Sequence, residues 1–122
     1  MNEIRVIKIW VLAALLWLPL GCAQQKSKPI TEVSQEELAG GILIDVRTPE
    51  EYGRGHLEGA LNVDWFRADF LSVIDTLPKD NTLYLYCKKG GRSAKATHLL
   101  DSLGYRVIDL PGGYDAWHKA NP

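Results

Sequence analysis

The stretch Leu83-Tyr84-Leu85-Tyr86-Cys87-Lys88-Lys89-Gly90-Gly91-Arg92-Ser93 joins an apolar run to a basic, glycine-rich turn. Four consecutive apolar side chains after the Lys79-Asp80-Asn81 turn predict a strand covered on both faces. From Ser93 to Leu103, Ala96, Leu99, Leu100 and Leu103 recur at helical spacing, and Gly104 stands at the C-terminal exit. One sulfur therefore sits where a strand ends and a helix begins. Backbone N–H groups freed by Gly90 and Gly91, the unpaired N–H groups of the helix start, and the cations of Lys88, Lys89 and Arg92 all favour a thiolate there over a thiol. Cys87 reads as a nucleophile.

The same alternation extends in both directions. Ser34-Gln35-Glu36-Glu37 has capping-box spacing and predicts a short helix ended by Gly40-Gly41. Ile42-Leu43-Ile44-Asp45-Val46 predicts a buried strand, and Thr48-Pro49-Glu50-Glu51 a second helix start with Pro49 at the first helical position. Phe66, Phe70 and Ile74 recur every four residues, with Val73 and Leu77 nearby, which predicts an amphipathic helix stopped by Pro78. Tyr105 to Leu110 reads as a third strand, Pro111-Gly112-Gly113 as a turn and Tyr114 to Lys119 as a last helix. Strands alternating with helices imply an α/β fold with a mostly parallel sheet. Ligands bind such sheets beyond the carboxyl ends of the strands, which is where Cys87 lies.

The first residues of the 122-residue chain follow another pattern. Arg5 and Lys8 precede an apolar run from Ile9 to Leu18, too short for a bilayer span of roughly 20 residues but suited to an export signal. The stretch Leu18-Pro19-Leu20-Gly21-Cys22 resembles a bacterial lipoprotein signal, which implies a lipid on Cys22 and an anchored, periplasmic protein. Cleavage near Ala23 without lipid is the alternative. The expected organisation is a signal peptide over residues 1–21, a polar tether over 22–29 and one domain over 30–122. Removing residues 1–21 takes away Glu3, Arg5 and Lys8, so the formal net charge of −1 becomes −2. That balance points away from nucleic acid. With Cys22 assigned to lipid, Cys87 is the domain's only thiol, so neither an internal disulfide nor a cysteine-rich metal site is expected.

Three segments together resemble one family. Leu43-Ile44-Asp45-Val46-Arg47, with Glu50-Glu51-Tyr52, Gly55-His56-Leu57 and Gly59-Ala60-Leu61-Asn62-Val63, resembles the N-terminal signature of rhodanese domains. Cys87 to Ser93 resembles their active-site loop, and Pro111-Gly112-Gly113-Tyr114-Asp115-Ala116-Trp117 their C-terminal signature. The resemblance runs from about Ile30 to Pro122 and implies a three-layer α/β fold, a mostly parallel central sheet flanked by helices. It implies ping-pong transfer of sulfane sulfur through a persulfide on Cys87, from thiosulfate or a similar anionic donor to a thiol, cyanide or a carrier protein. By resemblance, the N–H groups of residues 88–92 cradle the persulfide within the loop Lys88, Lys89, Gly90, Gly91, Arg92 and Ser93, and Arg92 organises that loop. No cofactor and no metal are implied.

Loop length separates reactions within the superfamily. Four residues lie between Cys87 and Arg92, as in sulfurtransferases, whereas the related cell-cycle phosphatases and arsenate reductases carry five. A noncatalytic, anchored binding module is the runner-up reading. Asp45 and Arg47 are read as structural support, holding the loops through ion pairs and hydrogen bonds. His56 is expected to fix its loop by a hydrogen bond, and Trp65 and Trp117 to pack in the core or at its rim.

Overall fold

Residues 26–122 are described by a computed structural model. Five helices and four strands alternate: α1 (Gln35–Ala39), β1 (Ile42–Asp45), α2 (Pro49–Gly53), β2 (Leu61–Asn62), α3 (Phe70–Ile74), β3 (Leu83–Tyr86), α4 (Gly91–Ser102), β4 (Val107–Asp109) and α5 (Gly113–Ala120). The strands form one wholly parallel sheet in the order β2-β1-β3-β4. Its two central strands, β1 and β3, pair over four residues, from Ile42 with Leu83 to Asp45 with Tyr86.

Both faces of the sheet are covered, which is why its strands read as continuous apolar runs. One face buries Ile44, Leu83, Leu85 and Val107 against Phe70 and Ile74 of α3 and Ala96 and Leu100 of α4. The other buries Leu43, Tyr86 and Leu110 against Leu38 of α1, with Tyr114 and Trp117 of α5 packed alongside. The resulting three layers match the expected architecture. Ser34 and Thr48 both form capping boxes, with Glu37 and Glu51 as the returning acids.

Three expectations require correction. The helix expected to carry Phe66 begins only at Phe70, and the Phe66 ring is 69% exposed. The chain turns first: Asp64 Oδ1 accepts the Phe66 N–H at 2.9 Å, while the Trp65 N–H extends the sheet by donating to Val46 O at 3.0 Å. Helix α4 starts two residues before the expected Ser93, and its buried face is Ser93, Ala96, Thr97 and Leu100. Leu103 is 54% exposed; α4 ends at Ser102, and Leu103 is its C-cap, past the stripe that packs on the sheet. The two-residue strand β2 was not expected; an exposed leucine and a half-buried asparagine carry no strand periodicity.

Residues 26–28, placed in the polar tether by the sequence, lie beside β4. Lys28 N donates to Asp109 O at 2.9 Å and Asp109 N to Lys26 O at 2.8 Å. This covers an edge that otherwise exposes a row of unpaired backbone groups. Lys28 also pairs with Glu37 at 2.7 Å, tying the segment to α1. Cys22 and the expected signal lie outside the described residues.

The start of α5 meets the end of β3 closely. Gly113 has φ +60, and a side-chain carbon there would lie 2.6 Å from the Lys88 carbonyl oxygen and against that of Cys87. Gly113→Ala therefore combines left-handed strain with a backbone clash. It is expected to cost about 2 kcal/mol or more, read as a lowered midpoint of urea unfolding.

Candidate active site

The sulfur of Cys87 follows the last residue of β3 and is 1% exposed. The loop after it folds back so that Gly90 N–H donates to Sγ at 3.1 Å, helped by Gly90 φ +129. The Ser93 hydroxyl lies 3.5 Å from Sγ and donates to Gly90 O at 3.2 Å. Burial by itself pushes the Cys87 thiol up. The Ser93 hydroxyl and the backbone N–H groups of Ser93, Gly90 and Lys89 outweigh it, and the thiol is held below its usual range.

The carbonyls of the loop point the other way. Tyr114 N–H donates to Cys87 O at 2.8 Å and Asp115 N–H to Lys88 O at 3.0 Å. Both donors lie in the first turn of α5, where N–H groups have no partner within their own helix. The peptide between Lys88 and Lys89 is oriented by the second of these bonds, so the Lys89 N–H turns toward the sulfur; the Gly90 N–H belongs to the next peptide.

Arg92 does not reach over the sulfur as a free cation. Its Nη1 and Nη2 bind the two oxygens of Glu51 at 2.6 and 3.0 Å, a bidentate pair about four-fifths shielded from solvent. This carboxylate compensates an arginine placed in the first turn of α4, where a cation is otherwise unfavourable. Arg92 is the main reason the Glu51 carboxyl falls to about 2; burial opposes the shift and the Thr48 N–H adds to it. Lys88 pairs with Asp115 of α5 at 3.1 Å, while Lys89 is exposed and has no carboxylate partner among the described residues.

Asp45 and Arg47 form a buried pair at the end of β1, with Arg47 Nη2 at 2.6 Å from Asp45 Oδ2. The same Nη2 donates to Gly55 O at 2.7 Å, and the guanidinium lies over the Tyr114 ring at 4.4 Å. One arginine thus joins the β1 end, the 55 loop and α5. His56 Nδ1 is 2.9 Å from Tyr52 O and its ring stacks on Tyr52. Trp65 and Trp117 pack partly buried against the two core clusters.

Sequence reasoning singled out Cys87, the loop to Ser93, Asp45 and Arg47, and the fold brings all of them to one end of the sheet. It missed Glu51 as the partner of Arg92, because 41 residues separate them. It also missed the first turn of α5 as the holder of the loop carbonyls. The Gly112-Gly113 pair was the one available signal for that close approach.

The model of the rhodanese-like domain matches residues 30–120. The chain belongs to the rhodanese family. It is similar to thiosulfate sulfurtransferase 16 of Arabidopsis thaliana, at 40% identity over 67% of this chain and 78% of that one. It is 33% identical to thiosulfate sulfurtransferase PspE of Escherichia coli, over 57% of this chain and 67% of the other. Protein High Arsenic Content 1 of Arabidopsis is 39% identical, over 82% and 72%. Among solved structures, this rhodanese is similar to a rhodanese-related protein of Thermoplasma volcanium, with TM-score 0.70, 25% identity and coverage of 78% and 92%. It is also similar to the human single-domain sulfurtransferase TSTD1, with TM-score 0.58, 29% identity and coverage of 71% and 94%.

Ser93→Ala removes the hydroxyl that accepts from the Cys87 thiol at 3.5 Å, and that can turn its own proton from Gly90 O to the thiolate, without altering the backbone donors. Alkylation of Cys87 by iodoacetamide at neutral pH is expected to slow severalfold, with its pH profile displaced upward. An unmoved profile contradicts the role of this hydroxyl. Glu51 tests the ion pair with Arg92. Its folded pKa lies below the ordinary carboxyl value of 4.5, so its stabilisation is present above that value and lost as pH falls through about 2. Glu51→Gln is expected to cost ~1–2 kcal/mol at neutral pH and to flatten the acid limb of stability, measured by urea unfolding between pH 7 and pH 2.

Proposed function

We propose that this rhodanese is a sulfurtransferase that carries sulfane sulfur as a persulfide on Cys87, with thiosulfate or a similar small anion as donor. The observation that carries the reading is the buried Cys87 sulfur facing the Gly90 N–H at 3.1 Å and the Ser93 hydroxyl at 3.5 Å. Such an environment favours negative charge on sulfur. A buried structural thiol, or a module that only presents this loop to a partner, has no need of it.

In the first half-reaction the Cys87 thiolate attacks the outer sulfur of thiosulfate. The S–S bond of the donor breaks, its electron pair leaves with sulfite, and the transferred sulfur remains on Cys87 as a persulfide anion. The N–H groups that lower the thiol also suit that anion. Lys89 adds positive potential at the mouth for a dianionic donor. In the second half-reaction a nucleophile takes the outer sulfur and the Cys87 thiolate returns, so one cysteine suffices. Thiol, cyanide and carrier-protein acceptors all fit this step; the relatives named adenylyltransferase and sulfurtransferase, which this chain matches over about a fifth of their length, keep the carrier in view.

The four-residue spacing from Cys87 to Arg92 favours one added sulfur over a tetrahedral oxyanion. Export and lipid attachment at Cys22 complete the proposal and rest on the pattern from Arg5 to Cys22. This places the domain on the periplasmic side of a membrane, with the few residues after Cys22 as its tether.

Incubating the native protein with thiosulfate is expected to add the mass of one sulfur, removable by cyanide as thiocyanate and absent in Cys87→Ala. The same mass spectrum reads the lipid on Cys22. An unchanged mass with thiosulfate, or turnover of arsenate in its place, overturns the sulfurtransferase reading.

A further inference from the structure

The Phe66 ring is 69% exposed and stands beside Arg92, the fifth residue after Cys87. Its guanidinium neighbour is Arg92, 6.0 Å from the ring centroid, and Arg92 in turn is a loop residue held by Glu51. Among the described residues the other exposed large hydrophobics are Leu61, Leu71 and Leu103. The exposure of Phe66 is enforced rather than incidental. Trp65 is drawn inward, donating its N–H to Val46 O at 3.0 Å and packing edge-on against Phe70 with centroids 5.0 Å apart. Asp64 Oδ1 holds the Phe66 N–H at 2.9 Å, so the next residue must project away from the core.

The loop after Cys87 therefore carries two chemically different kinds of group. Lys88 is anchored to Asp115 and Lys89 is open to solvent. At the loop's end, both guanidinium nitrogens that reach Glu51 are occupied, so Arg92 offers a flat, neutralised surface continued by an aromatic ring. A dianionic donor suits the lysines and gains nothing from the ring. An apolar group gains from the ring by leaving water.

Resting on the persulfide reading above, we propose that Phe66 is a specificity-determining residue for the sulfur acceptor, selecting a small thiol with an apolar or aromatic group next to its sulfur. A single exposed ring suits a small molecule; a stable protein interface buries roughly 800 Å² on each partner. The acceptor thiol gives its proton to the Cys87 persulfide anion, and the resulting thiolate attacks the outer sulfur. The persulfide S–S bond breaks, its electron pair stays on the Cys87 sulfur as thiolate, and the acceptor departs as a hydropersulfide carrying the proton.

The two half-reactions allow a direct test. Protein loaded with thiosulfate and freed of excess donor is mixed with benzyl mercaptan, 2-mercaptoethanol or cyanide, and loss of the extra sulfur is followed by mass spectrometry. Benzyl mercaptan is expected to discharge wild type faster than 2-mercaptoethanol does. In Phe66→Ala the ratio of benzyl mercaptan to cyanide rates is expected to fall about tenfold, the scale of one lost apolar contact. Phe66→Leu, which keeps an apolar side chain, is expected to restore most of the ratio. Equal ratios in wild type and Phe66→Ala, or an equal loss with all three acceptors, overturn the acceptor role while leaving the persulfide intact. A wild-type protein that takes up no sulfur overturns the transferase reading itself.

Discussion

The carbonyl groups of Cys87 and Lys88 are held by the first-turn N–H groups of α5, and the character of the Cys87 loop depends on this attachment. A trans peptide points its carbonyl and its N–H in opposite directions. Binding the Lys88 carbonyl on one side therefore turns the Lys89 N–H toward the other, where the Cys87 sulfur lies. The helix start is suited to the task because its N–H groups have no partner of their own. The approach is possible only because Gly113 carries no side chain. Local negative charge on sulfur is thus favoured by backbone geometry fixed from behind.

The ionic side chains around the loop serve mainly to hold it. Asp45 with Arg47 holds the end of β1, and Glu51 with Arg92 and Lys88 with Asp115 each join segments distant in sequence. The first pair is buried and the second mostly shielded, so breaking either leaves a charge without a partner; the third is exposed and worth little, ~0–1 kcal/mol. This division explains why Arg92, the cation nearest the loop's end, is not free to act as an anion clamp. Glu51 completes the α2 capping box and binds Arg92 with the same carboxylate, so the start of one helix and the catalytic loop share a residue.

Much of this was legible in the chain. Helix starts at Ser34 and Thr48, the central strands and the Cys87 loop all follow from local rules: capping spacing, runs covered on both faces, and glycines beside a basic turn. Local rules failed where a tertiary contact overrode periodicity. Phe66 keeps helical step with Phe70, but Trp65 was taken into the core and an Asp64 turn sent the next side chain outward. Leu103 keeps step with Leu99, but α4 ends at Ser102 and leaves it past the packed stripe.

The sequence by itself determined the α/β alternation, the family and the place of Cys87 between a strand and a helix, because each is written in neighbouring residues. Only the tertiary structure decided which groups surround that cysteine. The partner of Arg92 comes from 41 residues away, the loop carbonyls are held by a helix that begins 26 residues after Cys87, and Phe66 stands beside Arg92. Hydrogen bonds and ion pairs are short-ranged, so they report distance in space. A linear sequence records only distance along the chain.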